Sequence, residues 1–256
     1  MGILVTRPEE SGQALTAMLN QEGIAAIHLP LCKITKGAQL DQFPKKLQQL
    51  NPFDKVICVS QYAVYYAQQV LQNTGFTWRS DLAYMAVGRK TAMLLSEATQ
   101  QPVSYPFLHE SSEGLLNLPL LKNCQDYQIL ILRGQSGREL LSEQLAKRGA
   151  KIEQLACYHR DWQKLDNGEL TIFSRAGIDT IIVTSGEILW YLLDFIPKSE
   201  HNWLLNCKLL VVSKRIAQLA MQSGWQEDKI ILTEKADNLS LLKTILSFYP
   251  HLRDKY

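Results

Sequence analysis

Apolar and polar positions along this chain follow two alternating rhythms. Short, wholly apolar runs are followed by segments whose apolar residues recur three and four positions apart. Ile3-Leu4-Val5 leads into Ala14, Leu15, Met18 and Leu19, with Gly23 as the stop. Val56-Ile57-Cys58-Val59 leads into Ala63, Val64, Ala67, Val70 and Leu71. An uninterrupted apolar run of four or five residues suits a strand buried on both faces, and the 3–4 spacing suits the helix behind it. The pattern predicts strands at 3–7, 25–29, 54–60, 82–87, 103–105, 128–132, 151–160, 179–184, 209–212 and 229–232. The 151–160 segment alternates Ile152, Leu155 and Cys157 with polar residues, as an exposed strand would. Two polar stretches, 33–43 and 161–168, read as connectors.

The pattern repeats. Ile3-Leu4-Val5-Thr6-Arg7-Pro8 has its counterpart in Ile129-Leu130-Ile131-Leu132-Arg133-Gly134, an offset of 126. Val56 to Ser60 matches Ile181 to Ser185, and Ala86 to Ala92 matches Val211 to Ala217, each at an offset of 125. Three matches in one register indicate a duplicated α/β unit. The expectation is therefore two domains of parallel strands and helices rather than one large doubly wound sheet. Ligands of such folds lie beyond the carboxyl ends of the strands.

Composition narrows the function classes. A chain of 256 residues, 46% hydrophobic, can bury two modest cores. The formal net charge of +2 gives no nucleic-acid footprint. Five scattered cysteines in apolar surroundings read as reduced and buried. The five histidines are isolated and no CxxC or HExxH spacing occurs, so no metal is expected. The longest apolar region, 178–196, is interrupted by Asp179, Glu187 and Asp194, which argues against a membrane span. With no signal-peptide pattern at the start, a cytoplasmic protein is expected.

Chemistry concentrates where strands end. The first copy offers Arg7, Ser60-Gln61-Tyr62 and Gly88-Arg89-Lys90-Thr91. The second offers Arg133-Gly134, Ser136, Gly137, Arg138, Ser185-Gly186 and Ser213-Lys214-Arg215. Small and hydroxyl residues at helix starts leave backbone N–H groups free for anions, and neighbouring basic side chains add charge. Each turn taken singly is equally a helix cap. Repeated in both copies, the set points to a ligand with many negative groups. No GxxxxGK[ST], GxGxxG or GxSxG motif is present, and no Ser/His/Asp or Cys/His set can be assembled by spacing. Tyr158, at the end of the 151–160 strand, reads on its own as a packed aromatic.

Taken in order, these elements resemble the uroporphyrinogen-III synthase family. The resemblance rests on Leu4-Val5-Thr6-Arg7-Pro8, Val59-Ser60 with Ala63-Val64, and Ala86-Val87-Gly88 with Thr91-Ala92. It continues through Leu132-Arg133-Gly134, Gly137-Arg138, Leu145 with Gly149, Tyr158, Thr184-Ser185, and Val212-Ser213 with Arg215 and Ala217. Gln61-Tyr62 departs from the family pattern, which often has Pro or Asn followed by a basic or small residue, so the role there falls to the backbone.

The resemblance implies two similar flavodoxin-like α/β domains, each a parallel sheet flanked by helices, joined by a two-strand linker with the active site in the cleft between them. Residues 1–35 and 165–256 would form a discontinuous first domain and 40–157 the second, with 36–39 and 158–164 as linkers. The repeat alone would suggest a tandem split near residues 120–129. The implied reaction dehydrates and cyclises hydroxymethylbilane with inversion of its terminal pyrrole ring, giving uroporphyrinogen III, a hydro-lyase activity without a cofactor. Tyr158 is the implied proton donor. Arg7, Ser60, Gly88, Arg89, Lys90, Thr91, Arg133, Gly134, Arg138, Ser185, Ser213, Lys214 and Arg215 are the expected substrate-binding residues. The implied substrate carries about eight carboxylates. At about 1 kcal/mol each from helix ends and N–H donors, binding would sum to about 8 kcal/mol, roughly micromolar. A monomer is expected, receiving its substrate from hydroxymethylbilane synthase, with no nucleic-acid or membrane partner. The rival readings are a non-catalytic two-domain receptor for a polyanion and a two-domain sugar- or nucleotide-transferring enzyme.

Overall fold

A computed structural model of the chain describes residues 2–164, 172–233 and 235–248. The described residues form two compact units. One comprises the described residues within Met1–Lys33 and Asp161–Tyr256, and the other Ile34–Arg160.

The first unit holds β1 (Gly2–Val5), β2 (Ala26–His28), β9 (Ile178–Val183), β10 (Lys208–Val211) and β11 (Ile230–Leu232). They hydrogen-bond in the order β11-β10-β9-β1-β2, and every pair is parallel. The second sheet holds β4 (Lys55–Cys58), β5 (Ala83–Ala86), β6 (Val103–Ser104), β7 (Gln128–Gly134) and β8 (Lys151–Trp162), with β3 (Cys32–Lys36) beside β8 at the edge, and the unit boundaries fall within β3 and β8. Its order is β3-β8-β7-β4-β5-β6. Matched through the repeat, β1 corresponds to β7, β9 to β4 and β10 to β5. Both sheets then show one spatial sequence, β2-β1-β9-β10-β11 and β8-β7-β4-β5-β6. Each unit is thus assembled from pieces of both copies.

Alternation along the strands supplies two cores per sheet. Leu4, Ile181, Val183, Leu209 and Val211 pack on one face of the first sheet, and Ile3, Val5, Ile182 and Leu210 on the other. In the second sheet Val56, Cys58, Leu130 and Leu132 share one face, and Ile57, Ile129 and Ile131 the opposite one. Helices cover both faces, which is why these strands read as unbroken apolar runs.

The helices that matter for function follow the strands: α1 (Glu9–Gln21), α2 (Phe43–Gln49), α3 (Gln61–Thr74), α4 (Arg89–Thr99), α5 (Ser112–Leu116), α6 (Leu140–Lys147), α7 (Gly186–Phe195), α8 (His201–Asn206), α9 (Lys214–Gln222) and α10 (Asn238–Ser247). Two elements differ from the expected connectors. Within 33–43 the chain forms most of β3, and Phe43 begins α2 with Pro44 in its first turn. Lys33, Thr35 and Lys36 give that strand a polar surface suited to an edge, which disguises it as a loop. Of the 161–168 stretch, Asp161 and Trp162 finish β8, and 165–168 lie outside the described residues.

Candidate active site

Where the order of strands reverses, a parallel sheet opens a crevice at its carboxyl edge. In the first unit that point lies between β1 and β9, and in the second between β7 and β4. The residues at or just beyond the ends of these strands are Arg7 and Ser185-Gly186 in one unit, Gly134 and Ser60 in the other.

Ser60, Ser185 and Ser213 are N-caps of α3, α7 and α9. Their hydroxyls accept from the N–H of Ala63 at 3.3 Å, Ile188 at 3.2 Å and Ile216 at 3.3 Å. Gly88 caps α4 without a side chain. No acidic residue lies in the first turn of α3, α4 or α9, so the positive ends of these helices are not neutralised from within.

In the first unit the guanidinium of Arg215 lies beside the start of α7. A Cβ built on Gly186 would stand 3.1 Å from Arg215 Nη1. Arg7 donates from Nη1 to Asn238 Oδ1 at 2.6 Å, while Asn238 Nδ2 donates to the Ser11 carbonyl at 3.1 Å. Lys214 is exposed and makes no ion pair among the described residues.

In the second unit Arg133, Arg138 and the backbone of Arg89 carry acidic partners, two of them more than 20 residues away. Arg133, only 9% exposed, donates to Glu139 at 2.5 Å and to Gln154. Hydrogen bonds from Gln154, Arg133 and Ser142 hold the Glu139 carboxyl below the usual glutamate range. Arg138 pairs with Glu113 at 2.6 Å at the surface, which lowers the Glu113 carboxyl in turn. The backbone N–H of Arg89 donates to Glu110 at 2.9 Å. Thr91 is buried inside α4, and Lys90 is exposed without an ion pair among the described residues.

Tyr158 lies at the second unit's reversal point, 4% exposed. Its ring rests over Gly134, where a Cβ would stand 2.9 Å from Cε2 and Cζ and 3.2 Å from the hydroxyl. Tyr62, in the first turn of α3, meets it at 5.7 Å between ring centroids, and the Arg160 guanidinium lies 5.8 Å from its centroid. Among the described residues its hydroxyl makes no hydrogen bond, leaving a donor group at the strand ends. The structure therefore gathers Tyr158, Gly134, Ser60 and Tyr62 in one unit, and Ser185, Gly186 and Arg215 in the other. Sequence reasoning did not find Glu110, Glu139, Asn238 or the Tyr62 contact. Only the Gln61-Tyr62 departure from the family pattern hinted at any of them. Among the described residues no group of three or more His, Cys, Asp or Glu could hold a metal, and no helix is long and apolar enough to cross a membrane.

Two parallel sheets with matching strand order, each with a serine-capped helix start at its reversal point, define a duplicated flavodoxin-like α/β protein. The family model described as uroporphyrinogen-III synthase HemD matches residues 13–240. Uroporphyrinogen-III synthases of Salmonella typhimurium strain LT2 and Escherichia coli strain K12 are each 41% identical over 247 residues, covering 96% of this chain and all of theirs. The chain belongs to the uroporphyrinogen-III synthase family. Among solved structures, a mutant uroporphyrinogen III synthase from Thermus thermophilus aligns over all of both chains with a TM-score of 0.69 at 18% identity. A uroporphyrinogen-III synthetase from Helicobacter pylori 26695 aligns over 96% of this chain and 99% of its own with a TM-score of 0.59 at 17% identity. These two extend the likeness of fold.

Proposed function

We propose that this protein is a hydro-lyase that converts hydroxymethylbilane to uroporphyrinogen III. The observation that carries the reading is the 41% identity to two named synthases across their whole length. The capped helix starts support it, because the substrate's many carboxylates need many N–H donors.

Loss of the hydroxyl from the activated pyrrole leaves an azafulvene, a cation-like electrophile stabilised by the pyrrole nitrogen. Attack by the substituted carbon of the terminal ring forms a spiro intermediate. That intermediate fragments and recloses with the ring inverted. Tyr158 donates the proton that lets the hydroxyl depart as water, and the proton released as the inverted ring regains aromaticity restores the phenol. The helix starts hold the carboxylates so that the chain is folded for the spiro route rather than direct closure. The backbone N–H groups near Ser60, Gly88, Ser185 and Ser213, with Arg7, Arg89, Lys90, Lys214 and Arg215, bind the substrate's acid groups. Arg133 and Arg138 reach them by exchanging carboxylate partners. The enzyme acts as a cytoplasmic monomer supplied by hydroxymethylbilane synthase.

Freshly made hydroxymethylbilane incubated with the purified protein, with no metal or nucleotide added, should give the type III isomer. Formation of only the type I isomer at the spontaneous rate overturns this reading, and binding without turnover favours the receptor.

A further inference from the structure

The pairing of β7 with β8 slips by one residue at the strand ends. Arg133 stands opposite Ala156, and the next residue, Gly134, stands opposite Tyr158, so Cys157 is an extra residue on β8. In an unbroken strand Tyr158 would point to the face opposite Cys157. The bulge cancels one alternation, and both residues pack in the same core with Leu155. Bulges re-aim side chains in this way.

Two backbone contacts bracket the bulge. Gln135 N–H donates to the Tyr158 carbonyl at 2.8 Å, and Gly37 N–H donates to the Cys157 carbonyl at 2.9 Å. Gly37 approaches so closely that a Cβ there would lie 2.1 Å from the Ala156 carbonyl oxygen. At Gly134 the atoms in the way are the Tyr158 ring itself. A side chain at Gly37 collides with backbone, whereas one at Gly134 collides with a movable ring.

We infer that Gly134 is a positioning residue: together with the Cys157 bulge and the Tyr62 ring, it seats the Tyr158 phenol at the strand ends. The inference rests on the reading of Tyr158 as proton donor for its kinetic consequence, but not for its structural one. Gly134→Ala pushes the ring outward while β7 keeps its register. A donor displaced by about 1 Å loses on the order of 100-fold in rate.

The test combines kinetics with ring-labelled tyrosine NMR, in which the Tyr158 resonance is the one missing from Tyr158→Phe. Gly134→Ala should lower kcat at least tenfold, with KM and melting temperature nearly unchanged, and should shift the Tyr158 resonance. In the Tyr158→Phe background the same change should lower kcat less than twofold, since the donor is already gone. Tyr62→Leu, which removes the facing ring, provides a second variant with the same non-additivity. An unmoved Tyr158 resonance in Gly134→Ala overturns the positioning, as does an equal loss of kcat in both backgrounds. Wild-type turnover in Tyr158→Phe overturns the donor role instead, and the resonance still decides the positioning.

Discussion

The Glu110 carboxylate accepts a hydrogen bond from the backbone N–H of Arg89 at 2.9 Å, at the first residue of α4. Gly88 permits the approach: a Cβ there would stand 2.7 Å from the carboxylate oxygen. On the proposed function, the chain sets one of its own anions at a helix start that the substrate's carboxylates would otherwise use. Glu110→Ala removes that competitor, and a charge at a helix start is worth about 0.3–1 kcal/mol. KM for hydroxymethylbilane should fall about two- to fivefold at low salt, with the gain fading as ionic strength rises. An unchanged KM would mean that the substrate does not use this helix.

Stability in acid should depend on Glu139. Its carboxyl is held below the ordinary glutamate range, so its contribution is full above the unfolded value of about 4.3 and is lost as pH falls through the folded value. Melting temperature plotted against pH should fall less steeply below about pH 4 in Glu139→Gln than in the parent. At neutral pH, Glu139→Ala should cost about 1–2 kcal/mol. It leaves the buried Arg133 guanidinium without its countercharge, and the half-exposed carboxylate limits the loss.

The serine caps separate two roles that sequence cannot. Ser60→Ala and Ser185→Ala should each destabilise the fold by about 1 kcal/mol, and the double variant by the sum. If the substrate uses backbone N–H groups, KM should change less than threefold in either. A tenfold rise in KM would assign the hydroxyl itself to the substrate.

All five cysteines are free and buried. Burial pushes the Cys157 and Cys207 thiols up to about 12 and raises Cys58 strongly as well. At pH 8 a thiol of that pKa is ionised about once in 10,000 molecules, and the ion is the reactive form. A disulfide reagent should therefore find almost no thiol in the native protein and five after denaturation. Rapid labelling of Cys157 without unfolding would contradict the burial of the β8 bulge.

The duplication, the parallel strands and the capped turns were legible in the sequence because each is local. An apolar run specifies a strand buried on both faces, and a serine before a helical pattern specifies a cap. Ser60, Ser185 and Ser213 cap their helices as residue type alone predicts. The edge strand β3 was not legible, because a strand that buries little carries little apolar signal. The regrouping that puts β7 and β8 beside β4 while β1 and β2 join β9 was not legible in the apolar pattern or the repeat, and only the family resemblance implied it. Equivalent strands from two copies look alike to a local pattern, and the choice between them is made by how the sheets pack. The acid partners were hidden for the same reason of distance. Glu110 reaches Arg89 across 21 residues, and Glu113 reaches Arg138 across 25. Tyr158 was visible as a residue, but its aim was not. One extra residue in β8 reverses the face on which a side chain emerges. That slip exists only against the register of β7, so it was decided by the pairing and not by the strand itself.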